Sequence, residues 1–130
     1  MSTSLARIEV KAFAFTGYPV TDLLRARAFY EEVLGLKPVT TWVDGAKGWI
    51  EYELGDSTLA LTNGSAETWR PASAGPALAL EVADFGAAIA ALREAGVRFK
   101  VEPVDFELCQ LAIVLDPDGN QLAIHQRKGG

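Results

Sequence analysis

The sequence predicts an α+β fold: two β-α-β-β-β modules whose strands form a curved, half-barrel-like mixed sheet with flanking helices. Three observations carry this reading. The order strand, helix, three strands can be followed twice along the chain. The two helix starts, at Asp22 and Asp84, lie roughly 60 residues apart, a spacing suited to a small duplicated unit. The stretch Leu111 to Gln126, LAIVLDPDGNQLAIHQ, places two apolar runs around Asp118-Gly119, a pair that tolerates the positive φ of a tight hairpin.

The elements follow in order. Ile8 to Pro19 is rich in strand formers, with Phe13, Phe15 and Gly17 on one face and Ala14, Thr16 and Tyr18 on the other; Pro19 closes it at an edge. Asp22 caps a helix whose apolar stripe runs through Leu23, Leu24, Ala26, Phe29, Tyr30, Val33 and Leu34, and Gly35 stops it. A meander follows: Leu36 to Val43, a turn at Asp44-Gly45, Gly48 to Leu54, a turn at Gly55-Asp56, and Thr58 to Leu61. Pro76 to Val82 restarts the pattern, a second helix runs from Asp84 to Gly96, and Val97 to Val101 forms a short strand before a loop containing Pro103 and the hairpin. The chain thus reads as one domain over 1–130, with modules 8–63 and 76–127 joined by a linker, 64–75, rich in Gly, Ser, Ala and Pro. Trp69 in that linker must pack back on the body or touch a ligand.

Composition narrows the function classes. With 12 Lys plus Arg against 17 Asp plus Glu, the net charge of −5 argues for a soluble protein and against a general nucleic-acid surface. Cys109 is the single cysteine, so no intrachain disulfide forms and a reducing, cytoplasmic setting is expected. The first residues lack the apolar core of a signal peptide, and no run approaches the roughly 20 apolar residues of a membrane helix.

Three segments, VTDLLRARAFYEEVLGL at 20–36, EVADFGAAIAALREAGV at 81–97 and DPDGNQLAI at 116–124, resemble the vicinal oxygen chelate superfamily, which includes glyoxalases, bleomycin-resistance proteins and extradiol dioxygenases. The resemblance covers about residues 8 to 127 and is specific for the fold, which hosts metal enzymes and metal-free binders alike. It places the metal ligands of metal-bearing relatives at Phe15, Ala60, Ala77 and Ala123, none of which can coordinate an ion. It therefore implies no metal and no other cofactor.

What remains points to a cleft. Small residues at Ala60, Ala77, Ala79 and Ala123 leave volume that a planar or apolar ligand could fill, and Phe15, Trp42, Trp49, Tyr52, Trp69 and Phe106 are candidates for its walls. Glu51 and Glu53 share one face of their strand, either toward the cleft or toward water. His125, the one histidine, and Glu81 are the candidate proton carriers, each with an ordinary reading as a strand-end side chain. Cys109 reads as inert packing. The expectation is a homodimeric, metal-independent binder of a small molecule, with sequestration of an antibiotic or toxin as its role; dimerisation would cover open sheet edges. The alternative is a metal-independent isomerase, cyclase or lyase using His125 or Glu81. A divalent-metal lyase or dioxygenase would need displaced ligands, and His125 and Glu81 supply only two.

Overall fold

The computed structural model describes residue 9 and residues 11–64, 67–74 and 76–129. Among the described residues eight strands form two mixed sheets of four. In the first, β1 (Thr16–Pro19), β2 (Pro38–Asp44), β3 (Lys47–Leu54) and β4 (Ser57–Thr62) lie in the order β1-β4-β3-β2. In the second, β5 (Leu78–Glu81), β6 (Arg98–Asp105), β7 (Cys109–Leu115) and β8 (Gln121–Arg127) lie in the order β5-β8-β7-β6. Each sheet has one parallel pair, β1 with β4 and β5 with β8, and is otherwise antiparallel. Among the described residues no helix is long and apolar enough to cross a membrane.

Both helices begin where their caps dictate. The Asp22 carboxylate accepts from the Arg25 amide at 3.1 Å and opens α1 (Leu23–Arg27); the Asp84 carboxylate accepts from the Ala87 amide at 3.0 Å and opens α2 (Phe85–Glu94). Both runs stop at a glycine in the left-handed region, Gly35 at φ 74° and Gly96 at φ 75°. The first helix differs in its second half. Ala28–Val33 widens to a π-helical turn, closed by the Leu34 amide on the Phe29 carbonyl, and the neighbours Phe29 and Tyr30 are both buried.

The helices cover one face of each sheet, and the two modules share a single core. Tyr18, Ile50, Tyr52, Leu59 and Leu61 from the first sheet and Ala112, Val114, Leu122 and Ile124 from the second belong to one cluster with Leu23, Phe29, Tyr30, Phe85, Ile89 and Leu92. Each fully buried Leu or Ile contributes about 1.5–3 kcal/mol.

Polar contacts register one module on the other. Asp116 is fully buried at the start of the DPDGN turn, where it accepts from the Tyr30 hydroxyl, from Asn120 Nδ2 and from the amides of Asp118 and Asn120, each at 2.9 Å. Asn120 also donates to the Pro19 carbonyl, and Asp118 accepts from Thr21 and Arg25. The turn of the second module is thus clamped onto the β1–α1 junction of the first. Tyr18 adds a bridge: the Leu78 amide donates to its hydroxyl at 2.7 Å, and that hydroxyl donates to the Gln121 carbonyl at 2.7 Å. The phenol stands in for a ladder bond between β5 and β8. Replacing Tyr18 with phenylalanine removes both of these hydrogen bonds, and a urea titration is expected to show a loss of about 1–3 kcal/mol.

The module turns differ in length, and a hollow lies beside the shorter one. The five-residue turn Asp116–Asn120 reaches Tyr30 on the first helix, whereas the turn at Gly55-Asp56 faces the smaller Leu92 on α2. An aliphatic cavity of about 680 Å³ remains there, lined by Leu34, Leu36, Leu54, Leu78, Leu80 and Leu92 among others.

Two expectations change. The first strand pairs only over Thr16–Pro19, opposite Leu59–Thr62 of β4. Ile8 and Val10 lie outside the described residues, and Phe13 is almost wholly exposed. In the second module β6 runs through Pro103 to Asp105; the ladder shifts register between Val101 and Val104, so the missing N–H of Pro103 falls where no regular bond is required.

Candidate functional site

Strand alternation gives each sheet a second face, turned away from the helices. On the first sheet Ile50 and Tyr52 point into the core, so Trp49, Glu51 and Glu53 point to the other face. Cross-strand register adds Trp42 opposite Trp49, Ala60 opposite Glu51, and Gly17 opposite Ala60. Aromatic rings cover the centre of this face. Phe15 meets Trp49 edge to face with centroids 5.1 Å apart. Trp69 comes back from the linker onto Gly17 so closely that a Cβ there would lie 2.7 Å from its ring. Gly17 is therefore the seat of Trp69, and a strand glycine marking a close approach is the signal that could have found it. Ala60 is completely buried beneath this layer. Trp49 Nε1 donates to Glu51 Oε2 at 2.8 Å and fixes one edge of that carboxylate against the ring.

The second sheet presents smaller groups. Leu78, Leu80, Leu122 and Ile124 line the helix side, so Ala79, Glu81, Gln121, Ala123 and His125 face the other way, joined by Leu111 and Ile113. Ala77 and Ala79 are exposed, which leaves a shelf of methyl groups. At its end the parallel register sets Glu81 opposite His125, and Glu81 Oε1 lies 2.5 Å from His125 Nδ1. The Arg127 amide donates to Glu81 Oε2 at 2.7 Å. That amide and the imidazole hold the Glu81 carboxyl below its ordinary range. Because the folded-state value is depressed, the contact is complete above the ordinary carboxylate range and is lost only as pH falls through the lowered one.

Between β1 and the start of β5 lies a cavity of about 430 Å³, bounded by Gly17, Trp69, Ala77, Ala79 and Gln121. The ring layer and the methyl shelf meet there. The larger, mostly aliphatic hollow lies toward the helices, away from the rings, with Ser57 and Glu81 as the polar residues of its lining.

Of the sequence candidates, Phe15, Trp49, Ala60 and Trp69 gather on the first sheet, and Ala77, Ala79, Glu81, Ala123 and His125 on the second. Trp42 is on the open face but 60% exposed at the outer strand. Tyr52 is a correction. It is fully buried on the helix side, 6.2 Å from Tyr30 in a stacked pair, and its hydroxyl donates to Glu31. Burial pulls the Glu31 carboxyl up, but hydrogen bonds from Arg27 and Tyr52 outweigh it and hold the group below its ordinary value; burial and Glu31 together push the Tyr52 phenol up. Phe106 is also placed elsewhere, half-exposed in the β6–β7 turn with its amide on the Cys109 carbonyl. Leu111 and Ile113 join the open face although their sequence gave no sign of it, since an apolar run hides which residues face a helix.

The family model of the Glyoxalase/Bleomycin resistance protein/Dioxygenase superfamily matches residues 12–124. The chain belongs to this superfamily. Solved members share its fold. TnmS3, an antibiotic binding protein from Streptomyces sp. CB03234, is 24% identical with a TM-score of 0.76, covering 94% of this chain and 100% of its own. A glyoxalase/bleomycin resistance protein from the same Streptomyces is 26% identical (TM-score 0.68; 88% and 97% covered), and the trypanothione-dependent glyoxalase I of Leishmania major is 25% identical (TM-score 0.73; 92% and 88% covered). No curated protein matches.

Metal-bearing members of the superfamily set a test that these residues do not meet. Phe15 and Ala60 lie on the open face of the first sheet, and Ala77 and Ala123 on that of the second, so the four positions offer a phenyl ring and three methyl groups. None has a lone pair for a divalent ion. Among the described residues no three His, Cys, Asp or Glu side chains are grouped to hold one. His125 and Glu81 supply two donors, short of the three protein ligands of a catalytic zinc site.

Proposed function

We propose that this superfamily member binds a small, planar, apolar or aromatic molecule between the ring layer of the first sheet and the methyl shelf of the second, without a metal. The observation that carries the reading is the pairing of Trp69 on Gly17 and Phe15 on Trp49 beside a cavity of about 430 Å³. Rings offer a stacking surface, small residues opposite leave room, and Glu51, fixed by Trp49, can take a polar or cationic group at the rim. The role of TnmS3, antibiotic binding, fits sequestration.

The working unit is a homodimer in this reading. Trp42 is 60% exposed on the open side of β2, and a second copy laid on the open faces would cover it and deepen the cleft. The two modules, 8–63 and 76–127, act as the two halves of one domain.

The test is a titration with a panel of polycyclic aromatic antibiotics, read by tryptophan fluorescence with the oligomeric state followed by sedimentation. Trp69 borders the cavity and Trp49 belongs to the ring layer beside it, so a ligand is expected to change the emission saturably, with a Kd of about 1 μM or tighter, or about −8 kcal/mol. Emission indifferent to every member of the panel would overturn the reading. The short contact between His125 and Glu81 favours a second reading, a metal-independent isomerase, cyclase or lyase.

A further inference from the structure

We propose that His125, oriented by Glu81 on the same open face as Ala79 and Ala123 and two residues beyond them, is a general base that takes an acidic proton from a molecule bound over that face: a carbon acid next to a carbonyl or an activated ring, or a phenol. The inference rests on the binding reading above and names the chemistry that the same cleft can perform.

The geometry is that of a paired acid and imidazole. Nδ1 of His125 is 2.5 Å from Glu81 Oε1, and the Arg127 amide holds Oε2 at 2.7 Å, so the carboxylate is fixed at both oxygens and cannot swing away. A carboxylate accepts hydrogen bonds and does not donate them, which places the proton of the neutral ring on Nδ1. Nε2 is left with its lone pair, and no hydrogen bond to it occurs among the described residues. Ala79 and Ala123, two residues back on each strand, keep the approach low.

The remaining neighbours offer no competing acid. Opposite His125, β7 brings Leu111, and the next pair along is Cys109 with Arg127. On β6, Val104 lies opposite Leu111, and the carboxylate of Asp105 is engaged by Lys128. Glu81 and Arg127 are thus the charged groups that face the ring. Glu81 acts as a positioning residue: it selects the tautomer and stabilises the imidazolium that forms.

The step balances without a further reactant. The C–H bond breaks, its proton moves to Nε2 and its electron pair passes into the adjacent carbonyl as an enolate. Return of that proton to a different carbon gives an isomer, with neither oxidation nor reduction. A ligand with a good leaving group β to the carbanion would undergo elimination instead, the leaving group departing with its bonding pair.

A planar aromatic probe tests this directly. In 5-nitrobenzisoxazole, removal of the ring C–H proton by a base breaks the N–O bond and releases a coloured cyanophenolate, which allows the rate to be followed by absorbance. The protein is expected to accelerate this elimination at least about 100-fold over buffer. His125→Gln should return it to the buffer rate, and Glu81→Leu should lower it about tenfold or more by releasing the tautomer. As His125 is the one histidine, its 15N resonances report the tautomer without assignment: Nδ1–H in the native protein, shifting toward Nε2–H in Glu81→Leu. No acceleration, an equal rate in His125→Gln, or an Nε2–H ring in the native protein would each overturn the proposal. Tryptophan quenching by the same probe separates the two readings. Quenching without turnover sinks the base and leaves the binding cleft standing, whereas neither quenching nor turnover sinks both.

Discussion

Asp116→Ala is expected to cost about 3–5 kcal/mol of stability, a large share of the roughly 5–15 kcal/mol that holds a domain of this size together. Its side chain is completely buried and accepts four hydrogen bonds, from Tyr30, from Asn120 Nδ2 and from two turn amides. Alanine leaves all of these donors facing a void that solvent does not reach. Asn120 keeps its bond to the Pro19 carbonyl, and the Tyr30 hydroxyl can turn, so the loss falls short of four full desolvation penalties. Asp116→Asn is the informative partner. Its carbonyl can still accept from the amides of Asp118 and Asn120, but its NH2 group then meets the NH2 of Asn120, donor against donor. A loss of about half that of alanine follows from this count. Denaturant melts of the two variants provide the comparison. Equal stability of Asp116→Ala and the native chain would mean that the clamp of the second module's turn on Tyr30 contributes nothing.

The features that local chemistry determines were legible in the sequence. Asp22 and Asp84 cap the helices, Gly35 and Gly96 end them at positive φ, and DPDGN turns the last hairpin, because each depends on residues within one turn of itself. The alternation of Trp49, Glu51 and Glu53 against Ile50 and Tyr52 was equally plain. Which side met the helix was not, since period-two patterning defines two faces without naming them. Tyr52 illustrates this: an aromatic with a polar tip suits a ligand wall, yet here its hydroxyl reaches Glu31 on the first helix. The seat of Trp69 on Gly17 depends on the path of a linker, and the contact of His125 with Glu81 depends on the parallel register of β5 and β8, two strands separated by a helix and two further strands. Those are long-range facts. The volume expected around the alanines is also divided unequally: on the first sheet aromatic rings fill it over Ala60, and on the second it stays open at Ala77 and Ala79.

That open half is where ligand binding can be blocked at little cost to the fold. Ala79→Trp is expected to weaken binding about 100-fold or more while changing stability by no more than about 0.5 kcal/mol. Ala79 is exposed on the edge strand β5, on the face away from the helices, and its methyl group borders the cavity that Trp69 closes from the other side. An indole at this position fills the space a planar ligand would use and can stack on Trp69 itself. The same substitution at Ala60 would be a poor test, because Ala60 is fully buried and overpacking there would strain the sheet by about 1–3 kcal/mol. Isothermal titration against whichever ligand quenches the native tryptophans gives the affinity, a thermal melt gives the stability, and sedimentation checks that the oligomeric state is unchanged. Undiminished affinity in a folded Ala79→Trp protein of native oligomeric state would move the site away from the shelf.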